Sequence, residues 1–396
     1  MLYYQDIDPY IAKCVRCGAC KAVFGLFEPS CPAGDYFRFE GYYSSGKIWI
    51  ARGLKEGILD WNDPELLKKL FSCTLCGSCA QQCPMSVRDK IIEVFEALRA
   101  EAVARQDLPY LAHSRLKNSL VQYRNPWMQP RKRRLHSFQK QTVKVIAPGH
   151  GERAEVLYFI GCTAALDPQL HHIVQNTLAL LNKAGVDFGV LGDAEVCCGS
   201  VMLRVGQRNL AEELVEKNIK MIQESGVTTV VTSCAGCYKT LSQDYPAFGG
   251  VTARVVHSSQ FLLELLQGGR LRFNKKAQGR VTYHDPCHLG RHCGVYDPPR
   301  RLLQSIPGLT LMEMPRNREN AWCCGAGGGV RSAFPEWALE SSSKRIKEAL
   351  ATGAKTLVTA CPFCLQNLAT CNHLGEAKNV LELMDLTDIL VRFSDG

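Results

Sequence analysis

The chain has 396 residues, enough for two or three domains, and its 46% apolar and 21% charged content is that of an ordinary globular protein. No run of about 18 apolar residues occurs, so no transmembrane helix is expected, and Met1 to Ile11 carries Asp6 and Asp8 and lacks the apolar stretch of a secretory signal. Twenty cysteines in a long chain without an export signal argue against a disulfide scaffold and for metal in a cytoplasmic protein, and the formal charge of +9 is too small to call for nucleic acid.

Residues 1–104 hold two short-spaced cysteine sets, Cys14-x2-Cys17-x2-Cys20 with Cys31-Pro32, and Cys73-x2-Cys76-x2-Cys79-x3-Cys83-Pro84. Between them, Asp63-Pro64 ahead of Glu65 to Phe71 predicts an N-cap, a proline at N1 and a short amphipathic helix. After Pro84, Ser86-x-x-Asp89 has the form of a capping box, and Ile91, Phe95 and Leu98 give one helix face to bury. A helical ferredoxin domain is expected here. Residues 105–152 read as a connector, with Asn125-Pro126, Gln129-Pro130, the basic run Arg131 to Arg134, and Pro148-Gly149-His150-Gly151. Four basic residues in a row read first as a solvated face and second as a docking patch for a partner.

From about residue 153 strands and helices alternate. Val156 to Ile160 runs into Gly161-Cys162, Val186 to Leu191 precedes Cys197-Cys198-Gly199, and Thr228 to Thr232 ends at Ser233-Cys234, three residues before Cys237. Helical patterns fall around Leu178–Leu181 and Leu210–Ile222. The order recurs about 125 residues on: Arg280 to Tyr283 into Cys287, Leu309 to Leu311 ahead of Cys323-Cys324, and Thr356 to Thr359 into Cys361, with Cys364 following. This is an internal duplication, residues 153–272 and 273–396, of α/β units with parallel sheets. Ligands in such sheets sit beyond the carboxyl ends of the strands, so each copy should gather five sulfurs on one rim. Only Cys293 and Cys371 fall outside the four sets.

A close cysteine triplet with a distant Cys-Pro is a cubane [4Fe-4S] signal, and in two-cluster ferredoxins the fourth ligand comes from the other motif. Cys14, Cys17, Cys20 and Cys83 would then hold one cubane, and Cys73, Cys76, Cys79 and Cys31 the other. The first motif departs from the usual form, with ten residues rather than three between Cys20 and Cys31. Two cubanes with four thiolates each, at about −2 apiece, would bring the chain to roughly +5, a charge suited to an acidic partner. The alternative for four cysteines is structural zinc. Each longer set offers five thiols where a cubane takes four. Either one cysteine is not a ligand or the cluster is not a simple cubane and a thiolate bridges irons, for which the adjacent pairs are suited. Zinc, or a redox disulfide in Cys234-x2-Cys237, are the alternatives.

The longer pattern resembles the CCG domain of heterodisulfide reductase and its relatives, and the order of parts resembles the D component of that family, a fusion of the soluble enzyme's C and B components. In the B component each complete CCG set binds a noncubane [4Fe-4S] cluster, and the heterodisulfide of coenzyme M and coenzyme B is cleaved between two of them. The resemblance implies that Cys162, Cys197, Cys198, Cys234 and Cys237 hold one such cluster, and Cys287, Cys323, Cys324, Cys361 and Cys364 the other. Both sets are intact, whereas many relatives keep one.

The implied function is that of an iron–sulfur electron-transfer subunit of an anaerobic, multi-subunit oxidoreductase. Electrons pass from cubanes to the CCG clusters, and disulfide reduction is the best-motivated terminal chemistry, with Cys198 and Cys324 as candidate catalytic residues. The alternative is a relay without catalysis of its own, serving a glycolate- or lactate-type flavin dehydrogenase or a benzoyl-CoA reductase-type complex. The chain shows no G-x-G-x-x-G fingerprint, so its reductant is expected from another subunit, a flavoprotein or a membrane cytochrome b at the inner face of the membrane. A third reading is a zinc-based binding module using the basic connector. Gly325 to Gly329 lacks the Lys-Ser/Thr of a phosphate loop and reads as close backbone approach to a cluster. His284, His288 and His292 around Cys287 are candidate proton donors or supporting residues. Arg204, six residues after Cys198, and Arg331, seven residues after Cys324, either bind an anionic substrate or compensate cluster charge.

Overall fold

A computed structural model describes residues 1–139, 141–149, 151–374 and 381–395. His150 of the connector motif, Lys140, residues 375–380 and Gly396 lie outside the described residues. The N-terminal region is helical. Asp63 caps the helix Pro64–Phe71, its Oδ1 accepting from the Glu65 amide at 2.8 Å, as the Asp-Pro pair predicts. The helix Ile91–Gln106 buries Ile91, Phe95 and Leu98. The predicted capping box at Ser86 does not form. Ser86–Lys90 is a 3-10 turn with no side-chain cap, and Asp89 lies exposed beside Arg88 instead of reaching back.

Two parallel sheets follow. The first comprises β1 (Lys144–Val145), β2 (Val156–Tyr158), β3 (Phe188–Val190), β4 (Thr229–Thr232) and β5 (Arg254–His257), in the order β1-β3-β2-β4-β5. The second comprises β6 (Gly279–His284), β7 (Leu309–Met312), β8 (Thr356–Thr359) and β9 (Glu382–Asp385), in the order β7-β6-β8-β9. The second order reproduces β3-β2-β4-β5 of the first, so the duplication extends to topology. The central strands carry the apolar runs of sheets covered on both faces: β2 and β8 are buried throughout. The fold is thus a helical N-terminal region followed by two α/β units. Residues 105–152 are more than a spacer, since they supply the helix Leu111–Tyr123 and the edge strand β1.

The three parts meet at one buried side chain. Arg99, wholly buried, donates from Nε and Nη2 to Leu70 O at 3.1 and 2.8 Å and from Nη2 to Cys73 O. Its Nη1 donates to Arg204 O in the first copy and Gly328 O in the second, both at 2.8 Å. Burial lowers its pKa to about 10, so it remains a cation at neutral pH. The chain packs tightly around it. A Cβ at Gly206 would sit 2.5 Å from Arg99 O, and one at Gly328 would sit 2.6 Å from Cys73 O.

Arg99→Met would strand these four buried carbonyls, at a cost of at least about 3 kcal/mol. The expected outcome is a fall in the anaerobic thermal midpoint of at least about 5 °C, measured by circular dichroism. Arg99→Lys should recover less than half of it, because an ammonium lacks the planar fork. An unchanged midpoint would show that the junction does not rest on this residue.

Candidate functional site

The two N-terminal triplets have the same backbone. In Cys14-Val15-Arg16-Cys17-Gly18-Ala19-Cys20, Arg16 and Gly18 have φ of 56° and 83°. In Cys73-Thr74-Leu75-Cys76-Gly77-Ser78-Cys79, Leu75 and Gly77 have 55° and 79°. Paired left-handed residues turn successive amides toward the sulfurs, as where Leu75 N approaches Cys73 Sγ at 3.4 Å. Only glycine adopts this conformation without strain, so Arg16 and Leu75 are held there by the loop. Cys14, Cys17, Cys20 and Cys83 line one small cavity with Ser44, Ile48 and Val87. Cys31, Cys73, Cys76 and Cys79 line another with Pro32 and Ile92. Cys31 reaches its place despite the long interval because it caps the helix Pro32–Phe37, its sulfur accepting from Gly34 N at 3.4 Å. Burial pushes its thiol up to about 12.

The ten sulfurs of the two copies lie at the carboxyl ends of their strands. Cys162 opens the helix Cys162–Leu166 after β2, Cys234 precedes the helix Ala235–Lys239 after β4, and Cys361 precedes the helix Pro362–Leu374 after β8. Nine of the ten line a single cavity of about 340 Å³: Cys162, Cys197, Cys198, Cys234 and Cys237 from one copy, and Cys287, Cys324, Cys361 and Cys364 from the other. Within the copies, Cys162 neighbours Cys197, Cys198 neighbours Cys237, and the Cys324 and Cys364 sulfurs are 3.4 Å apart. Between the copies, Cys234 neighbours Cys361. The tenth, Cys323, turns toward the N-terminal region, its sulfur 3.7 Å from Thr74 Oγ1 and beside Cys76. Cys293 and Cys371 join no set; Cys371 is buried with its thiol 3.4 Å from Leu339 O.

The basic run is not wholly a solvated face. Arg134, at its end, is 1% exposed and donates from Nη2 to Cys162 Sγ at 3.0 Å. Its Nη1 donates to Gly161 O and to buried Glu195 Oε1 at 2.7 Å, while Glu195 accepts from Ile160 N and Gly161 N, both at 2.9 Å. The pair is neutral overall and aims one N–H at one sulfur. Nothing in the run of four distinguishes Arg134 from its neighbours, and Glu195 is an isolated acid two residues before the CC pair, so neither was legible.

The two arginines that follow the CC pairs differ. Arg204 is neutralised by Glu96 at 3.0 Å and by Asp244 at 2.5 Å, which also holds Lys239. Arg331 lines the cavity, donates to Gln366 Oε1 and makes no ion pair among the described residues. The glycine run approaches the protein itself: Cβ atoms at Gly327 and Gly329 would lie 2.8 Å from Thr74 O and 2.6 Å from His113 Nε2. Burial holds His284 and His292 down to about 3 and His288 well below the usual range. His284 Nδ1 accepts from Arg345 Nε at 3.1 Å, and a ring nitrogen lies within 4.8 Å of the Cys324 and Cys364 sulfurs. His288 lines the cavity with Nε2 unpartnered, and His292 Nε2 lies 2.9 Å from Leu75 O.

Residues 10–87 match the 4Fe-4S dicluster domain, and residues 156–242 and 281–369 each match the cysteine-rich CCG domain. The D component of dihydromethanophenazine:CoB–CoM heterodisulfide reductase from Methanosarcina barkeri is 36% identical over 372 residues, covering 90% of this chain and 88% of that protein. The B component of fumarate reductase (CoM/CoB) from Methanothermobacter marburgensis is 32% identical, covering 97% and 73%. EtfAB:quinone oxidoreductase of Syntrophomonas wolfei is 32% identical, covering 97% and 58%. Among solved structures, a hypothetical protein from Helicobacter pylori aligns with a TM-score of 0.55 at 10% identity over 89% of this chain and 67% of that one, a likeness of fold alone. Domain order, intact cysteine sets and near full-length identity together place the chain in the family of the heterodisulfide reductase D component, iron–sulfur proteins of electron transfer.

Proposed function

We propose that the chain takes single electrons from a partner protein, passes them inward along four iron–sulfur sites and reduces a disulfide held between the last two. The observation that carries this is the shared cavity, with nine cysteines of two separate copies facing one space. A disulfide lying there meets sulfur-rich walls on both sides, so each of its sulfur atoms can be served by a different set. Its reduction consumes two electrons and two protons and releases two thiols.

The donor sets fit iron–sulfur clusters. Thiols converge on each of the three spaces, and no carboxylate lines any of them among the described residues. Cys14, Cys17, Cys20 and Cys83 would hold one cubane, and Cys31, Cys73, Cys76 and Cys79 the second. Cys162, Cys197, Cys198, Cys234 and Cys237 would hold one noncubane cluster, and Cys287, Cys323, Cys324, Cys361 and Cys364 the other. Such clusters, when bound, store and release single electrons. The contacts between sets give the route its order. Cys20 and Cys79 sense each other's charge, Cys76 lies beside Cys323, and Cys361 lies beside Cys234. The first CCG set is therefore the last reached.

Within the cavity, Arg331 supplies the unpaired cation and Phe363 and Trp127 supply apolar wall, a combination suited to a disulfide bearing a carboxylate, sulfonate or phosphate. Arg134 steadies Cys162 through its N–H, and Cys198 and Cys324 line the cavity from the first and second copies respectively. No helix of the described residues is long and apolar enough to cross a membrane, so an electron source in the membrane would be a separate chain. A relay without catalysis is the second reading. Its support is the pair of relatives named as EtfAB:quinone oxidoreductase and as the fumarate reductase B component, which match 97% of the chain.

Anaerobically prepared protein is expected to contain about 16 irons per chain with matching acid-labile sulfide, by metal analysis and sulfide assay. Zinc without sulfide would overturn the redox reading. With reduced methyl viologen and a panel of disulfides, the wild-type chain should turn over an anionic disulfide, and Cys198→Ser or Cys324→Ser should abolish this. Absence of turnover with every disulfide would favour the relay. Arg331→Gln should raise KM for the anionic disulfide by about 10- to 100-fold, the loss of one charge-assisted hydrogen bond. It should leave kcat, and turnover of an uncharged disulfide such as hydroxyethyl disulfide, little changed.

A further inference from the structure

The seven residues by which the interval from Cys20 to Cys31 exceeds the usual form fold into a small hairpin. Ala22 and Pro29 form an antiparallel bridge, Val23 N donates to Glu28 O at 2.7 Å, and Ser30 N donates to Lys21 O at 3.0 Å. Its root is fastened on three sides. Phe24 N donates to Gln82 Oε1 at 3.1 Å, beside Cys83. Ser30 Oγ donates to Cys20 O at 2.6 Å, and Arg316 Nη1 donates to Pro29 O at 2.7 Å from the second CCG copy. Val23, 1% exposed, plugs the root into the core.

The tip is the reverse. Phe24 is 82% exposed and Phe27 94%, with Leu26 at 42% between them. Phe27 is held at φ 54°, a conformation that costs a bulky residue on the order of 1 kcal/mol, so solvation alone does not account for the shape. Single exposed apolar residues are ordinary, but three within four positions, with exposed Val15 nearby in sequence, make a patch. Seven residues before Phe24 in the sequence is Cys17, the exposed member of the first cysteine set, whose other three members are buried or half-buried. The surroundings carry net positive charge: from Tyr10 to Pro29 the chain has Lys13, Arg16 and Lys21 against the single acid Glu28, and although Lys21 is paired with Glu40, Lys13 and Arg16 make no ion pair among the described residues. Arg16 and Arg52 both stack on half-exposed Trp49, at 5.0 and 4.6 Å.

We propose that this hairpin is the docking finger for the redox partner that exchanges electrons with the first cysteine set, and that the partner presents an apolar pocket bordered by carboxylates near its own flavin, haem or iron–sulfur centre. The proposal rests on that set holding a cluster. Aromatic anchors amid cations are what interface centres use, and the basic rim steers an acidic face toward Cys17. Each productive encounter moves one electron, oxidising the partner's centre by one and reducing this chain by one, with no bond made or broken. A rigid root and an aromatic tip let contact form without ordering a loop.

The test uses the full chain in its native host, with photoreactive p-benzoylphenylalanine in place of Phe27 and, as control, of exposed Val121. The expected result is a cross-link from position 27, and not from 121, to a protein that carries a flavin, haem or iron–sulfur centre. With that protein purified, Phe24→Ser/Phe27→Ser should slow electron exchange by at least about tenfold. Raising salt from about 0.05 to about 0.5 M should slow the wild-type exchange further. Reduction of the variant by methyl viologen should match wild type. A cross-link to lipid, to a second copy or to a protein without a redox centre, no cross-link, or an unslowed variant would each overturn the proposal. A wild-type chain that viologen cannot reduce would instead overturn the cluster reading, and the proposal with it.

Discussion

One cation with no carboxylate touching it holds the molecule together. Arg99 spends its guanidinium on four backbone carbonyls, those of Leu70, Cys73, Arg204 and Gly328, which belong to the N-terminal region and both duplicated units. Backbone carbonyls are poor at moving aside, so the fork fixes the three parts to within a hydrogen-bond length of one another. One of these carbonyls, that of Cys73, belongs to the second cysteine triplet itself. The cost is visible in the glycines. Gly206, Gly327, Gly328 and Gly329 sit where a Cβ would strike the facing chain, so close approach of the three parts by itself requires glycine in the run after Cys324, which also lines the sulfur cavity.

Duplication gave two like units, and their surroundings have since made them unlike. In the first, Cys162 is held by Arg134, which comes from the segment ahead of the unit and is balanced by Glu195. In the second, Cys323 faces Thr74 and Cys76 of the N-terminal region, and Arg291 donates to Cys76 O at 2.8 Å. The second unit's sulfurs thus meet the N-terminal sulfurs through Cys323 and Cys76, whereas those of the first unit meet the second unit's, through Cys234 and Cys361. In the proposed route these contacts, and not chain order, set the sequence of the sites.

The cysteine spacings and central strands were legible because each has a local signature. β2, β4, β6 and β8 are β-branched or aromatic runs ending at a cysteine, and their register follows from burial on both faces. The edges were not legible. Arg-Val-Val-His and Glu-Leu-Met-Asp, which form β5 and β9, are short, begin exposed and carry no flanking cysteine; β1 is two residues long. Ser86-x-x-Asp89 had the letters of a capping box, but the turn after Cys83-Pro84 leaves it in a 3-10 conformation. Arg134 and Arg99 were hidden for a deeper reason. A side chain whose partners are 26 to 229 residues away leaves no periodicity to read.

The same limit applies to Arg204 and Arg331, alike in their place after a CC pair and opposite in circumstance. Asp244 lies 40 residues beyond Arg204, and Glu96 lies in the N-terminal helix, so the charge of Arg204 is consumed by the junction that Arg99 organises. Arg331 stands away from that junction and keeps its charge for the cavity. Both units line the space, but among the described residues only the second unit offers it a cation without an ion pair. An asymmetric disulfide with one anionic arm would bind in one orientation, its anionic half toward the second unit. The first unit, reached last along the route, would then take the other half. A duplicated architecture that treated both halves alike would have no such preference, and here a single unpaired guanidinium supplies it.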